Sequence, residues 1–287
     1  QGANIVAYNA KMRDQTVSLA HLEADLHGAL ERREFKLLYQ PIVDLRDGRI
    51  VGCEALLRWD HPLEGLLTPD RFFATAEDAQ LLVPITRWII RRACRVAGSL
   101  SQRLPPGATF YIGVNLSAQV LCDPELANVV ERTLAKADIS PTLLRFEITE
   151  GSLISNVGPA RELLDRFHGM GIKLMLDDFG TGYSSLNYLQ LFPFDCLKID
   201  RSFVRRLSPD GSGSELLRAI VQMASSLGLQ AVAEGIETQE TADVLKQIGC
   251  QFGQGYLFSK PVDENVVAQL LQVQDRDQAA ALPARTA

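Results

Sequence analysis

The amino-acid sequence predicts an α/β fold, a TIM-like (β/α)8 barrel whose first strand runs antiparallel to its neighbours. Short β-rich runs alternate along the chain with longer segments of helical periodicity, and several runs are apolar at consecutive positions, as strands buried on both faces are. The first two runs are joined only by Arg46, Asp47 and Gly48, and so short a connection forms an antiparallel hairpin. A length of 287 residues accommodates one barrel of about 250 residues with short extensions.

The predicted elements follow one another regularly along the chain. Strands are expected at residues 36–45, 49–59, 110–116, 144–149, 173–177, 196–199, 231–234 and 253–257. Helices are expected between most of them, at 69–79, 83–101, 124–137, 158–169, 215–227 and 238–248. Residues 1–17 have no place in this pattern and are interpreted as a linker, and 271–287 lack a periodic apolar face and are interpreted as a frayed tail, which leaves 18–270 for the barrel domain.

Composition and charge exclude several classes of protein. Apolar residues make up 46% of the chain, which excludes a largely disordered protein. The formal net charge of −6 is opposite in sign to that of a protein that coats a DNA or RNA duplex. Five widely spaced cysteines form no CxxC pair and four histidines do not cluster, so neither a disulfide framework nor a zinc site is expected.

Localisation follows from the absence of long apolar segments. No run of 18 apolar residues is present, so neither a transmembrane helix nor a signal peptide is expected. A cytoplasmic domain is therefore expected. The chain begins at Gln1 instead of Met, so it is interpreted as a fragment, and a membrane anchor elsewhere in the full-length protein stays open.

Polar side chains occur where nearly every predicted strand ends. Active sites of parallel barrels form at the carboxyl ends of the strands, so these side chains are expected to surround one mouth. They are Glu54, Asn115, Glu147, Asp177, Asp178, Lys198, Asp200, Glu234 and Gln254.

So many carboxylates at one mouth would repel one another unless divalent cations lay among them. Oxygen ligands without His or Cys favour hard ions, here Mg²⁺ or Mn²⁺. An aspartate pair can bridge two ions, and two ions about 4 Å apart are typical of phosphodiester hydrolysis. Lys198 would then hold the attacking water, and Arg58 would bind a phosphate.

Each of these residues also has an ordinary structural interpretation. Glu54 alone is typical of a surface carboxylate, Asp177 and Asp178 of a helix N-cap, and Lys198 with Asp200 of a surface ion pair. Their joint occurrence, in order and at strand ends, favours a functional site.

The motifs at these positions resemble those of the EAL domain family, bacterial phosphodiesterases that hydrolyse cyclic di-GMP. The resemblance covers residues 18–270. The matching segments are Tyr39-Gln40-Pro41-Ile42, Glu54-Ala55-Leu56-Leu57-Arg58-Trp59, Val114-Asn115-Leu116-Ser117, Phe146-Glu147-Ile148-Thr149-Glu150, Asp177-Asp178-Phe179-Gly180-Thr181-Gly182-Tyr183-Ser184-Ser185-Leu186, Leu197-Lys198-Ile199-Asp200, Ala233-Glu234-Gly235-Ile236-Glu237-Thr238 and Gln254-Gly255-Tyr256-Leu257-Phe258.

The resemblance implies hydrolysis of cyclic di-GMP to linear pGpG with two Mg²⁺ or Mn²⁺ ions. The implied ligands of the first ion are Glu54, Asn115, Glu147 and Asp177, and Glu54 is also counted among the catalytic residues. The second ion would be held by Asp178, Glu234 and Asp200, while Lys198 orients the attacking water. Glu234 has two implied roles, metal ligand and general base, and the sequence does not choose between them. Gln40, Arg58 and Gln254 are implied substrate contacts.

Further expectations concern regulation. The segment 178–188 resembles the family's mobile loop, with Glu150 as its anchor and Glu237 in a supporting role, and the resemblance implies a homodimer. Residues 2–9 resemble the end of a GGDEF domain, which would make upstream regulatory domains part of the full-length protein; an ordinary linker is the alternative.

Two other functions remain as alternatives. One is a cyclic di-GMP-binding sensor that acts through protein partners without turnover. The other is a metal-dependent barrel enzyme that enolises its substrate, which would need a Lys or His base opposite the metal.

Overall fold

The computed structural model describes residues 22–105, 108, 110–154, 157–180, 186–207 and 213–281. The chain divides into two compact units, one formed by the residues up to Lys36 with Leu57–Ile85, the other by Leu37–Leu56 with the chain from Thr86 on. The strands are β1 (Phe35–Asp44), β2 (Ile50–His61), β3 (Gly65–Leu67), β4 (Ile112–Leu116), β5 (Leu144–Thr149), β6 (Lys173–Phe179), β7 (Cys196–Ile199), β8 (Gln230–Ala233) and β9 (Phe252–Gln254).

Helices lie between most strands, as the periodicity predicts. Beyond a helical segment at 22–29, they are α1 (Pro69–Asp78), α2 (Leu82–Ser101), α3 (Ala118–Leu121), α4 (Leu126–Ala137), α5 (Glu150–Ile154), α6 (Val157–Gly169), α7 (Leu186–Leu191), α8 (Arg201–Val204), α9 (Ser214–Ser226), α10 (Gln239–Gln247) and α11 (Glu264–Ala281). The short helices α3, α5, α7 and α8 were not predicted because four to six residues are too few to show helical periodicity.

The strands close into a mixed eight-stranded barrel, which confirms the predicted fold class. From β2 through β4 to β9 each strand is parallel to the next, whereas β1 pairs antiparallel with β9 and also pairs with β2. The predicted hairpin closes where the Asp44 amide donates to the Arg49 carbonyl oxygen at 2.7 Å, with Gly48 at φ 74°. The ninth strand, β3, is an addition that pairs antiparallel with the end of β2 and was not predicted because it has only three residues.

An apolar layer fills the lower barrel interior. It is buried on all sides and comprises Ile42, Tyr111, Met175, Cys196, Val232 and Phe252. Because side chains of a strand alternate between its faces, residues two positions away from this layer also point into the barrel. The polar side chains of the mouth occupy these next inward positions, toward the carboxyl ends of the parallel strands.

Helices cover the outside of the barrel with apolar faces. In α6, Leu163, Leu164 and Phe167 are buried, and the Phe167 ring lies 4.6 Å from that of Phe146 in β5, measured between ring centroids. Phe146 precedes Glu147, so this contact fixes the strand that carries one of the polar side chains.

The structure describes the ends of the chain only in part. Helix α11 runs to Ala281, so the boundary expected after residue 270 falls inside a helix. The linker expected at residues 1–17 lies outside the described residues, as does the resemblance to a GGDEF domain end at residues 2–9. Within the described part of the chain, no helix combines the length and apolar composition that crossing a bilayer requires.

We expect the substitution Phe167→Ala to lower the free energy of unfolding by about 3–5 kcal/mol, because the removed ring leaves a cavity between α6 and β5. Urea unfolding monitored by circular dichroism measures this loss. The matched control is Leu216→Ala in α9, whose side chain is 49% exposed and whose loss should cost less than about 0.5 kcal/mol. Equal losses in the two variants would contradict the packing argument.

Candidate active site

The polar side chains converge at the carboxyl ends of the barrel strands. They are one inward position beyond the apolar layer: Lys198 follows Cys196 by two residues, Glu234 follows Val232, and Gln254 follows Phe252. In the antiparallel β1 the order is reversed, so Gln40 precedes Ile42 by two residues. The strand register thus brings residues from separate parts of the sequence to one mouth.

Lys198 lies at the centre of this group. Its ammonium is 1% exposed and contacts four carboxylates. Nζ lies 2.5 Å from Glu147 Oε2, 2.6 Å from Glu234 Oε1, 3.2 Å from Asp177 Oδ1 and 3.4 Å from Glu54 Oε2. Burial alone would lower the pKa of Lys198, but the four carboxylates together raise it well above its ordinary value and favour the protonated ammonium.

Glu54 is held by amides as well as by Lys198. The Asn115 and Gln254 side-chain amides each donate a 2.7 Å hydrogen bond to it. Gln254 Nε2 also lies 3.1 Å from Gln40 Oε1. Burial raises the pKa of Glu54, but the Lys198 charge and these hydrogen bonds outweigh it, so the net pKa is lowered and the carboxylate stays ionised.

In Glu147, Glu234 and Asp178, neighbouring positive charge and hydrogen bonds do not outweigh the effect of burial on the pKa. Burial raises the pKa of Glu147 well above its ordinary value and that of Glu234 to about 8, although Lys198 opposes both shifts. Burial and the neighbouring Asp177 raise the pKa of Asp178. One ammonium therefore does not neutralise this group, and a further cation would stabilise it.

Asp177 and Asp178 reach the same side of the barrel although they are consecutive. Successive strand residues normally point to opposite faces. Here the pairing of β6 with β7 shifts between Leu176 and Phe179, and Asp178 has a left-handed φ of 54°. This bulge turns both carboxylates toward the mouth.

Asp177, Asp178 and Glu234 fit a divalent cation. Each offers an oxygen within 4.8 Å of the others, and no nitrogen or sulfur ligand is among them, a donor set that suits Mg²⁺ or Mn²⁺. Two further acceptors, Glu147 Oε1 and Gln254 Oε1, are buried without a hydrogen-bond partner.

Other candidate residues lie in different settings. Asp200 caps α8 by accepting from the Ser202 amide at 2.9 Å. Burial raises the pKa of Asp200, but hydrogen bonds from Ser202 and Arg201 and the Arg201 charge together outweigh burial and lower it. Glu237 is exposed and lies 3.6 Å from Arg205 Nη2, outside the group around Lys198. Arg58, in the first unit, donates to the Leu57 carbonyl oxygen at 2.7 Å.

The expected mobile loop is described only in part. Residues 181–185 of the segment 178–188 lie outside the described residues. Glu150, its expected anchor, begins α5 and is 3% exposed. Burial raises the pKa of Glu150, and the backbone amide of Gly180 opposes that rise.

Gly113 is a site-shaping residue that the sequence analysis missed. A Cβ at this inward position of β4 would lie 1.8 Å from Glu147 Oε1, so the missing side chain provides the space in which Glu147 reaches Lys198. A glycine inside a predicted strand was the available signal, since glycine weakens strands and marks close approaches.

The fold and the site together define a class of protein. It is an eight-stranded barrel with an antiparallel first strand, and its mouth carries acidic side chains around a buried lysine. Comparison with known proteins identifies the family. The EAL domain model matches residues 23–261, and the chain belongs to this family.

Its relatives include named phosphodiesterases. The chain is 39% identical over 261 residues to the cyclic di-GMP phosphodiesterase NbdA of Pseudomonas aeruginosa, covering 91% of this chain and 33% of that protein. It is 39% identical over 255 residues to the bifunctional diguanylate cyclase/cyclic di-GMP phosphodiesterase MucR of the same organism, covering 88% and 36%. The chain is homologous to these enzymes and spans about a third of their length.

Solved structures agree in fold. The EAL enzyme Bd1971 in its cAMP and cyclic di-GMP bound form superposes with a TM-score of 0.84 at 35% identity, covering 90% of this chain and 70% of that one. The MucR phosphodiesterase in complex with c-di-GMP gives a TM-score of 0.80 at 38% identity, covering 86% and 99%.

We expect Lys198→Met to lower the free energy of unfolding by about 3 kcal/mol or more in metal-free buffer, because the buried carboxylates lose their shared cation. Urea unfolding measures the change. The control is Lys173→Met, whose 45% exposed ammonium lies 3.9 Å from Asp195 Oδ1 and should contribute less than about 1 kcal/mol. A Lys198 variant as stable as this control would show that the lysine does not hold the group together.

Proposed function

We propose that this chain is a cyclic di-GMP phosphodiesterase that produces linear pGpG with the help of two Mg²⁺ or Mn²⁺ ions. The observation that carries the proposal is the buried Lys198 ammonium shared by four carboxylates at the barrel mouth. The homology to NbdA and MucR supports the substrate.

The acidic side chains would hold the metal ions. Asp178 and Glu234 would hold the second ion, and Asp200 would bind it directly or through water. The first ion is assigned to a set that already shares contacts: Glu54, Asn115, Glu147 and Asp177. When bound, the ions supply positive charge to the phosphodiester and to the attacking water.

Lys198 acts as a hydrogen-bond donor in this proposal. Its raised pKa keeps it protonated, so it can hold a water oxygen but cannot accept a proton from it. Glu234 has two available roles, metal ligand and general base. With burial raising its pKa to about 8, its carboxylate has a higher proton affinity than an exposed glutamate.

The substrate contacts would come from the rim. Gln40 and Gln254 are linked to each other and, through Gln254, to Glu54, so a ligand that binds this pair also orders a metal-binding carboxylate. Arg58 would hold a phosphate bidentately.

The proposal also covers how the enzyme would be regulated. We include in the proposal a homodimer and a loop over 178–188 that Glu150 anchors and Glu237 supports. Because the chain spans about a third of NbdA and MucR, the proposal also includes further regulatory domains in a longer protein, with the phosphodiesterase domain in the cytoplasm.

We expect pGpG to form when the chain is incubated with cyclic di-GMP and Mg²⁺ or Mn²⁺, and to disappear when a chelator is added. Chromatography of the nucleotides measures both results. Ligand binding by calorimetry without any product would instead favour the non-catalytic sensor.

We expect Glu54→Gln to reduce turnover by about 100-fold or more. In the proposal Glu54 helps to hold the first metal ion, whose positive charge would stabilise the transition state. The control is Glu162→Gln on the exposed face of α6, which should hydrolyse cyclic di-GMP at the unchanged rate. An active Glu54→Gln variant would overturn the assignment of this carboxylate.

A further inference from the structure

A groove of about 760 Å³ runs between α2 and α4 on the side of the barrel. Its walls carry the cations Arg91 and Arg95 from α2 and Arg132 and Lys136 from α4. Within each pair the residues are four apart, so both members lie on the same face of their helix. None of the residues assigned to the barrel mouth lines this groove.

The groove is positively charged although the chain as a whole is negatively charged. The net charge is −6, yet among the described residues no carboxylate lines the groove. Four like charges facing one space repel one another, so a groove of this kind is stabilised by a bound anion.

The other two arginines of α2, in contrast, form ion pairs with nearby carboxylates. Arg87 binds Asp123 through two nitrogens at 2.7–3.0 Å, and Arg92 lies 3.1 Å from Glu264 Oε2. In the part of the chain that the structure describes, Arg91 and Arg95 have no such partner, and neither do the two cations of α4. The four cations of the groove therefore have no ion-pair partner among the described residues, although Glu264, the partner of Arg92, lines a neighbouring cavity together with Arg95.

The groove also has the other features of a ligand site. Cys94 and Gly98 are buried beneath it, and Ser99, Gln102 and Thr133 add hydrogen-bonding groups. A Cβ on Gly98 would lie 2.8 Å from Ile139 Cγ2, so the glycine lets α2 approach the segment after α4. The volume lies within the range of about 300–1,000 Å³ that is typical of small-molecule pockets.

We propose that this groove binds a small phosphate-bearing anion, of the class of a nucleoside triphosphate or inorganic tripolyphosphate. Arginine side chains bind phosphate bidentately, and four cations balance the charge of one triphosphate. Each cation pair spans one helical turn, about 6 Å, which suits a chain of phosphates. An acidic peptide helix would need positive charge over several turns.

The test is calorimetric titration of the chain with sodium tripolyphosphate and with GTP at 150 mM salt, after a chelating resin has removed divalent ions. Removing divalent ions prevents phosphate binding through metal at the mouth, so binding that the groove variant weakens is independent of cyclic di-GMP hydrolysis. We expect both probes to bind, and tighter binding of GTP would show that the nucleoside also contacts the groove.

The decisive variant is Arg95→Gln with Arg132→Gln, which should weaken binding by about tenfold or more because two charge-assisted hydrogen bonds are lost. The matched control, Arg33→Gln with Arg218→Gln, changes net charge equally at exposed cations outside the groove and should leave affinity unchanged. Circular dichroism checks that both variants fold. The proposal is overturned if neither probe binds or if both variants lose affinity equally.

Discussion

The Lys198 ammonium, buried among four carboxylates, is the contact on which the rest of the site depends. Each carboxylate comes from a different strand or strand end, so the group forms only when the barrel is closed in its proper register. A buried charge is costly unless it is paired, and the lysine pairs with all four at once. The apolar layer below it excludes water from the underside and strengthens these contacts.

Backbone irregularities then adapt the regular barrel to this centre. A regular β6 would point Asp178 away from Asp177, and the bulge with its left-handed φ removes that constraint. A side chain at position 113 would occupy the space of Glu147 Oε1, and glycine leaves it open. Both features disrupt or weaken ideal strand structure, and both occur beside side chains of the mouth, where strain is commonly retained for function.

The sequence predicted the barrel, the hairpin and most helices because their signals are local. Period-two and helical patterns, together with the three-residue connection after β1, need no knowledge of distant residues. It also predicted which strand ends carry the oxygen-bearing side chains of the mouth, whose role as metal ligands stays a prediction. It did not predict that Lys198 would contact four carboxylates, because those distances depend on tertiary register. The three-residue strand β3 and the helical continuation past residue 270 gave no periodic signal, and Asp200 proved to cap a helix that was itself too short to predict.

The charge balance of the mouth gives an order to the proposed chemistry. Five carboxyl groups, those around Lys198 and that of Asp178, share one ammonium, and the raised pKa values of Glu147, Glu234 and Asp178 mean that the metal-free mouth limits its negative charge by holding protons. Divalent cations would replace those protons and supply positive charge, so in the proposed mechanism metal binding precedes or accompanies substrate binding. Lys198 alone cannot do this, since its charge is already shared by the carboxylates that hold it. In the proposed mechanism the same lysine holds the carboxyl groups together before metal binds, and the metal ions then provide the positive charge that the phosphodiester needs.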